Sequence, residues 1–200
     1  QNIMKIKNLV LIIIISSIFI NNSYAIEPDV FVKSTLNRAT KVLSDDITKD
    51  QKIDKLKKIA IDTVDIDKIG SYTLGPIRKT LTEEQKKNYS KLFNEYFLTS
   101  FSNRLVEYSD PKIEIYDKKI LSEKFAIVNS LLKGNNERPE VKIDWRIYTK
   151  DPENPKILDL IIEGLSLART QKEEFSSILN SNDGNIDALF KVLKEFSKEN

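Results

Sequence analysis

The hydrophobic period of this 200-residue chain switches to alternation at Asp110-Pro111, returning to the helical repeat only after Glu163, and that switch limits the possible folds more than any other feature. Before it, apolar residues recur every three or four positions, the repeat of helices with one buried face. After it they alternate, the repeat of half-buried strands. Helices followed by a run of strands point to an α+β arrangement rather than to interleaved βαβ units.

In the helical half, Val30, Phe31, Leu36, Ala39, Val42 and Leu43 predict a helix over 29–43. Ile53, Leu56, Ile59 and Ala60 predict a second over 49–64, with lysines and aspartates on its other side. A shorter helix over 66–74 is stopped or bent by Gly75-Pro76. Thr82-Glu-Glu-Gln85 has the form of a capping box, in which threonine and glutamine satisfy each other's amides. A long helix is expected from there to about Tyr108. Its stripe is Tyr89, Leu92, Phe93, Tyr96, Phe97, Phe101, Leu105 and Tyr108, which holds six of the chain's 17 aromatic residues. That is enough ring surface to fill a core, and enough to line a cavity as well.

Past the break, Ile113 and Ile115 alternate with polar neighbours, and 125–132 is apolar on both sides. Val141, Ile143, Trp145 and Ile147 alternate with Lys142, Asp144, Arg146 and Tyr148, and a last strand spans 157–163. Short turns between them predict a twisted four-stranded antiparallel sheet. Its apolar side needs a cover, and the aromatic helix is the expected one. Helices over 170–179 and 186–196 close the domain, the second with Asn185 as N-cap.

The first 25 residues read as an address. Lys5 and Lys7 precede an apolar run of 12 residues, Leu9 to Ile20, and small residues stand at Ser23 and Ala25. This is the pattern of a secretory signal peptide cleaved after Ala25; the run is short for a membrane span. Residues 26–200 then form a single domain. Both of the segment's charges are basic, so 30 basic residues face 30 acidic ones in the remainder. A balanced charge argues against nucleic acid, which requires a basic face.

Composition narrows the chemistry. The chain has no histidine and no cysteine. Gly164-Leu-Ser166 after an apolar strand is most of a nucleophile elbow, but Ala168 replaces the second glycine and no imidazole exists to take the serine proton. Ser166 therefore reads as a turn or cap hydroxyl. Zinc, copper and iron sites lose their usual ligands. Asn180-Ser-Asn-Asp-Gly184 lacks the spacing and terminal glutamate of a calcium loop and reads as a turn before a helix.

The order of motifs resembles the MlaC family, also called the toluene-tolerance or ABC-transporter auxiliary family. The resemblance lies in Tyr72-Thr-Leu-Gly75, then Thr82-Glu-Glu-Gln85 and the ring-rich helix, then four strands. The last runs Leu158-Asp-Leu-Ile-Ile-Glu-Gly-Leu-Ser-Leu167, followed by Phe175 and the stretch Asp183 to Leu189. Two positions depart from the family's habit: no tryptophan precedes Asp159, and Phe101 stands where tyrosine is common. The resemblance implies a periplasmic phospholipid carrier with an apolar lipid pocket between sheet and helices, no catalysis and no cofactor besides its cargo. It also implies two docking partners: an outer-membrane lipoprotein–porin complex, and an inner-membrane ABC transporter with a periplasmic substrate-binding ring. Such a carrier would maintain outer-membrane lipid asymmetry, and would act as a monomer.

The inward apolar positions expected to hold lipid are Tyr72, Leu74, Phe93, Phe97, Phe101, Leu105, Val141, Ile143, Trp145, Ile147, Leu160, Ile162 and Leu165. Arg78, Lys79 and Arg169 flank the turns and are candidates for a head-group rim. Two other classes remain: a secreted interaction module with a solid core, and a small hydrolase or isomerase using Asp144, Asp159 or Glu163. Alternation places Asp144 on the polar side, away from Ile143 and Trp145, which counts against the enzyme.

Overall fold

The computed structural model describes residues 25–135 and 138–199; the expected signal peptide and its cleavage site fall almost entirely outside the described residues. Helix α1 (Pro28–Ser44) carries proline in its first turn, where the missing N–H costs nothing. Helix α2 (Lys49–Thr63) opens with a capping box between Thr48 and Gln51. Asp65 accepts from the Lys68 amide to start α3 (Ile66–Thr73). A 3-10 turn, Gly75–Lys79, follows, with Gly75 at φ +60. The Thr82–Gln85 capping box then starts α4 (Glu83–Leu105), as its sequence predicts.

The chain next lays down β1 (Ile113–Ser122), β2 (Phe125–Leu132), β3 (Val141–Tyr148) and β4 (Lys156–Ile162). All neighbours are antiparallel, in sequence order. The sheet has five strands rather than the four expected. Glu163 and Gly164 both take positive φ, 49° and 83°, so the chain reverses in two residues and Leu165–Ser166 adds β5 along β4. Two consecutive positive φ values are the signature of the tight hairpin turn whose twist matches the strands. Helices α5 (Leu167–Asn180) and α6 (Ile186–Glu199) complete the domain. Asn185 caps α6 by accepting from the Asp187 amide.

Burial follows the alternation. In β3, Ile143, Trp145 and Ile147 are buried, while Lys142 and Arg146 are exposed. The layer lying directly on the sheet is formed by α1 over β1 and β2, and by α3 and α5 over β4. The expected cover, α4, packs chiefly on α2, α3 and α6. The reason lies in α3. Val64, just before it, bridges to Ile157, and the Asp65 amide donates to the Ile157 carbonyl, which ties the start of α3 to β4. On its other side Gly70 presents no side chain to Phe93, so α4 seats against α3. One large core joins α3, α4, α5, α6 and the sheet. A smaller one joins Val42, Leu43, Leu56 and Ile59 of α1 and α2 to the end of α4. No helix among the described residues is long and apolar enough to cross a membrane.

Candidate functional site

Helical spacing of four places the rings of α4 in a row. Tyr89 and Phe93 have ring centroids 5.7 Å apart, Phe93 and Phe97 6.2 Å, and Phe97 and Phe101 5.7 Å with planes 10° apart. Phe175 of α5 meets Phe93 edge-on at 6.2 Å. Exposure changes along the row: Tyr89 and Phe93 are buried, whereas Phe97 and Phe101 are half-buried. The Tyr89 hydroxyl bonds to Thr73 Oγ1 at 2.8 Å, and burial holds its proton far more tightly than in water.

The sheet contributes from the other side. Cross-strand pairing puts Ile115, Ser130, Ile143, Ile162 and Leu165 in one ladder, and Ile113, Leu132 and Val141 in the next. Trp145, paired to Val128 and Leu160, donates its Nε1–H to Ser130 Oγ at 2.8 Å. Ser130 in turn donates to the Ile143 carbonyl. Trp145, Ile143, Ile147, Leu74 and Phe93 are all closed from solvent, while Phe97, Phe101, Val141 and Leu160 pack on the same core half-buried. Ile162 is also half-buried.

Three of the expected lipid positions stand apart. Leu105 belongs to the smaller core with Val42 and Leu56. Tyr72 is 43 % exposed, with the Lys172 ammonium 5.0 Å from its ring centroid. Leu165 is 58 % exposed at the sheet's edge, although it continues the ladder of Ile143 and Ile162. The rim candidates divide between two clefts. Arg169 lines one of about 790 Å³ with Tyr72, Lys172, Glu173 and serines of α5. Arg78 and Lys79 line another of about 400 Å³, between α3 and α4, floored by Gly70, Leu74, Tyr89 and Phe93. That second cleft also takes Asp67, Ser90 and Asn94, which sequence reasoning missed; the signal available was the helical spacing of 67, 71 and 74.

The residues weighed for catalysis serve architecture. Ser166 donates to Asp159 Oδ2 at 2.5 Å and accepts from the Arg169 amide at 3.0 Å, capping α5. Asp159, 6 % exposed, also accepts from the Ala168 amide. Asp144 accepts from Asn129 Nδ2, and Glu163 from the Lys142 amide.

Comparison with known proteins agrees with this architecture. A crystal structure of the phospholipid-binding protein of Ralstonia solanacearum in complex with a phospholipid superposes with a TM-score of 0.72 at 19 % identity, over 87 % of this chain and 98 % of that one. The intermembrane phospholipid transport system binding protein MlaC of Haemophilus influenzae is 26 % identical over 139 residues, 68 % of this chain and 64 % of that relative's length. The sequence profile of the MlaC protein family matches residues 33–195. The chain therefore belongs to the MlaC protein family.

Proposed function

We propose that this protein is a phospholipid carrier. It binds acyl chains between the α4 ring row and the sheet, and moves lipid through the periplasm after export and removal of residues 1–25. Its partners are an outer-membrane lipoprotein–porin complex and an inner-membrane ABC transporter with its periplasmic substrate-binding ring. The names of both relatives support the ligand class.

The observation that carries the reading is the gradient within one core. Phe97, Phe101, Leu132, Val141 and Leu160 pack against a closed centre yet keep solvent-accessible surface. Five half-buried apolar side chains on four elements, α4 and three strands, offer an apolar replacement for water. A diacyl lipid needs such a surface, because each methylene exposed costs about 0.8 kcal/mol. The cargo requires contacts along its chains and a polar exit for its head group, which a carrier without catalytic groups provides.

Phe97→Asp is the test. Phe97 is half-buried, so a carboxylate there retains access to water while placing charge against the chains. The variant purified under gentle conditions should fold and lose co-purifying phospholipid by native mass spectrometry. Full lipid occupancy in Phe97→Asp would refute the pocket assignment. A wild-type protein that takes up no phospholipid from vesicles would refute the carrier itself.

A further inference from the structure

The cleft between α3 and α4 has two charged poles, and each is held by neutral groups. Arg78 donates from Nη1 to Ser71 Oγ at 3.0 Å. Asp67 Oδ1 accepts from Ser90 Oγ at 3.0 Å and from Asn94 Nδ2 at 3.1 Å. Neither bond neutralises the charge it holds. Lys79 lines the same cleft and adds to its cationic side; Lys86 lines it too, but its ammonium is paired with Glu83 at 2.7 Å. Ser71, which anchors Arg78, sits one helical turn beyond Asp67 on α3, a separation of about 6 Å along the axis. The floor is apolar, and Tyr89 and Phe93 within it begin the row that continues to Phe97 and Phe101.

We infer that this cleft receives a zwitterionic phosphoethanolamine group, with its phosphate at Arg78 and Lys79 and its ammonium at Asp67. The inference rests on the carrier reading and names the head group that reading leaves open. A guanidinium presents paired N–H donors that match phosphate oxygens, and a lysine ammonium adds a point charge. A two-carbon spacer separates phosphate from ammonium, which suits poles one helical turn apart. A phosphoglycerol group offers the same phosphate but no cation. It would leave the Asp67 carboxylate beside a second anion, so the acidic pole selects against it as well as for ethanolamine. The source of the group is a diacyl lipid rather than a free phosphomonoester, because the floor is apolar.

The decisive experiment loads the purified protein from vesicles of equal parts phosphatidylethanolamine and phosphatidylglycerol, then extracts and quantifies the lipid recovered with it. Exposed ion pairs are individually weak, so enrichment of phosphatidylethanolamine should be about threefold to fivefold. Asp67→Asn should return the ratio to that of the vesicles, and Arg78→Gln should lower recovery of both lipids. In a second arm, soluble phosphoethanolamine is titrated while the amide signals of residues 67–79 are followed by NMR. Weak shifts that disappear in Asp67→Asn are expected there. Lipid recovered in the donor ratio by the wild type, or an enrichment unchanged in Asp67→Asn, overturns the inference and leaves the carrier reading intact. Tight binding of the soluble compound without lipid enrichment overturns the lipid source. Recovery of no lipid at all refutes the carrier reading, and this inference with it.

Discussion

The Ser166 hydroxyl donates to the buried Asp159 carboxylate at 2.5 Å, and this bond locks the β4–β5 hairpin to the first turn of α5. Ser166 uses its proton on Asp159 and a lone pair on the Arg169 amide. Ser166→Ala removes both the helix cap and one partner of a buried carboxylate. It should cost about 1–2 kcal/mol in urea unfolding. Asp159→Ala strips acceptors from Ser166 and the Ala168 amide and should cost more, about 2–3 kcal/mol. An unchanged midpoint in either variant would show that the hairpin and helix are joined by other means.

Gly70 sits in α3 where a Cβ would lie 2.7 Å from Phe93 Cδ1. Two effects oppose each other in Gly70→Ala. Alanine gains about 1 kcal/mol of helix propensity. Displacing a fully buried ring costs about 1–3 kcal/mol, and the ring cannot yield freely because Phe175, Tyr89 and Phe97 surround it. Packing should win, and the variant should melt at a lower temperature than the wild type. A higher melting temperature would mean that α3 and α4 separate at little cost.

Trp145, Ser130 and the Ile143 carbonyl form a buried chain of hydrogen bonds. Ser130→Ala leaves the indole N–H unpaired in the core and should cost about 1–3 kcal/mol. In Trp145→Phe the unpaired donor no longer exists, so adding Ser130→Ala to it should cost less than adding it to the wild type. A double-mutant cycle followed by circular dichroism should give a coupling of about 0.5–1.5 kcal/mol. Additive costs would contradict the pairing.

Lys118 reaches Glu27 and Asp29 at 2.6 Å each and ties the start of α1 to β1. The hydrogen bond from Lys118 holds the Asp29 carboxyl below its ordinary 3.8, and the same contact, with Glu27, holds the Lys118 ammonium above its ordinary 10.5. The carboxylate's contribution is therefore full above 3.8 and is lost as pH falls through the lower folded value. The lysine's contribution is full below 10.5 and is lost as pH rises through the raised value. Lys118→Met should be less stable than the wild type near neutrality, and the gap should close in acid and shrink in high salt. A gap independent of pH would assign the loss to packing of the lysine stem.

Much of the fold was legible residue by residue. Thr82 and Gln85, Asn185, and the alternation of Ile143, Trp145 and Ile147 each announce their local structure, because caps and hydrophobic periods are set by neighbours within one turn or one strand. The change of period at Asp110-Pro111 separates the helices from the sheet for the same reason. Even the ring row of α4 follows from spacing alone.

What the sequence could not decide is which faces meet. A period gives the buried side of an element but not the element that buries it. So α1, α3 and α5 rather than α4 lie directly on the sheet, Leu105 joins a separate core, and Leu165 ends exposed on a fifth strand made by two positive φ values. Asp67 and Arg78 face a common cleft only because Gly70 brings α3 down onto Phe93 and the Gly75 turn redirects the chain after it. These are contacts between elements, and only tertiary packing sets them.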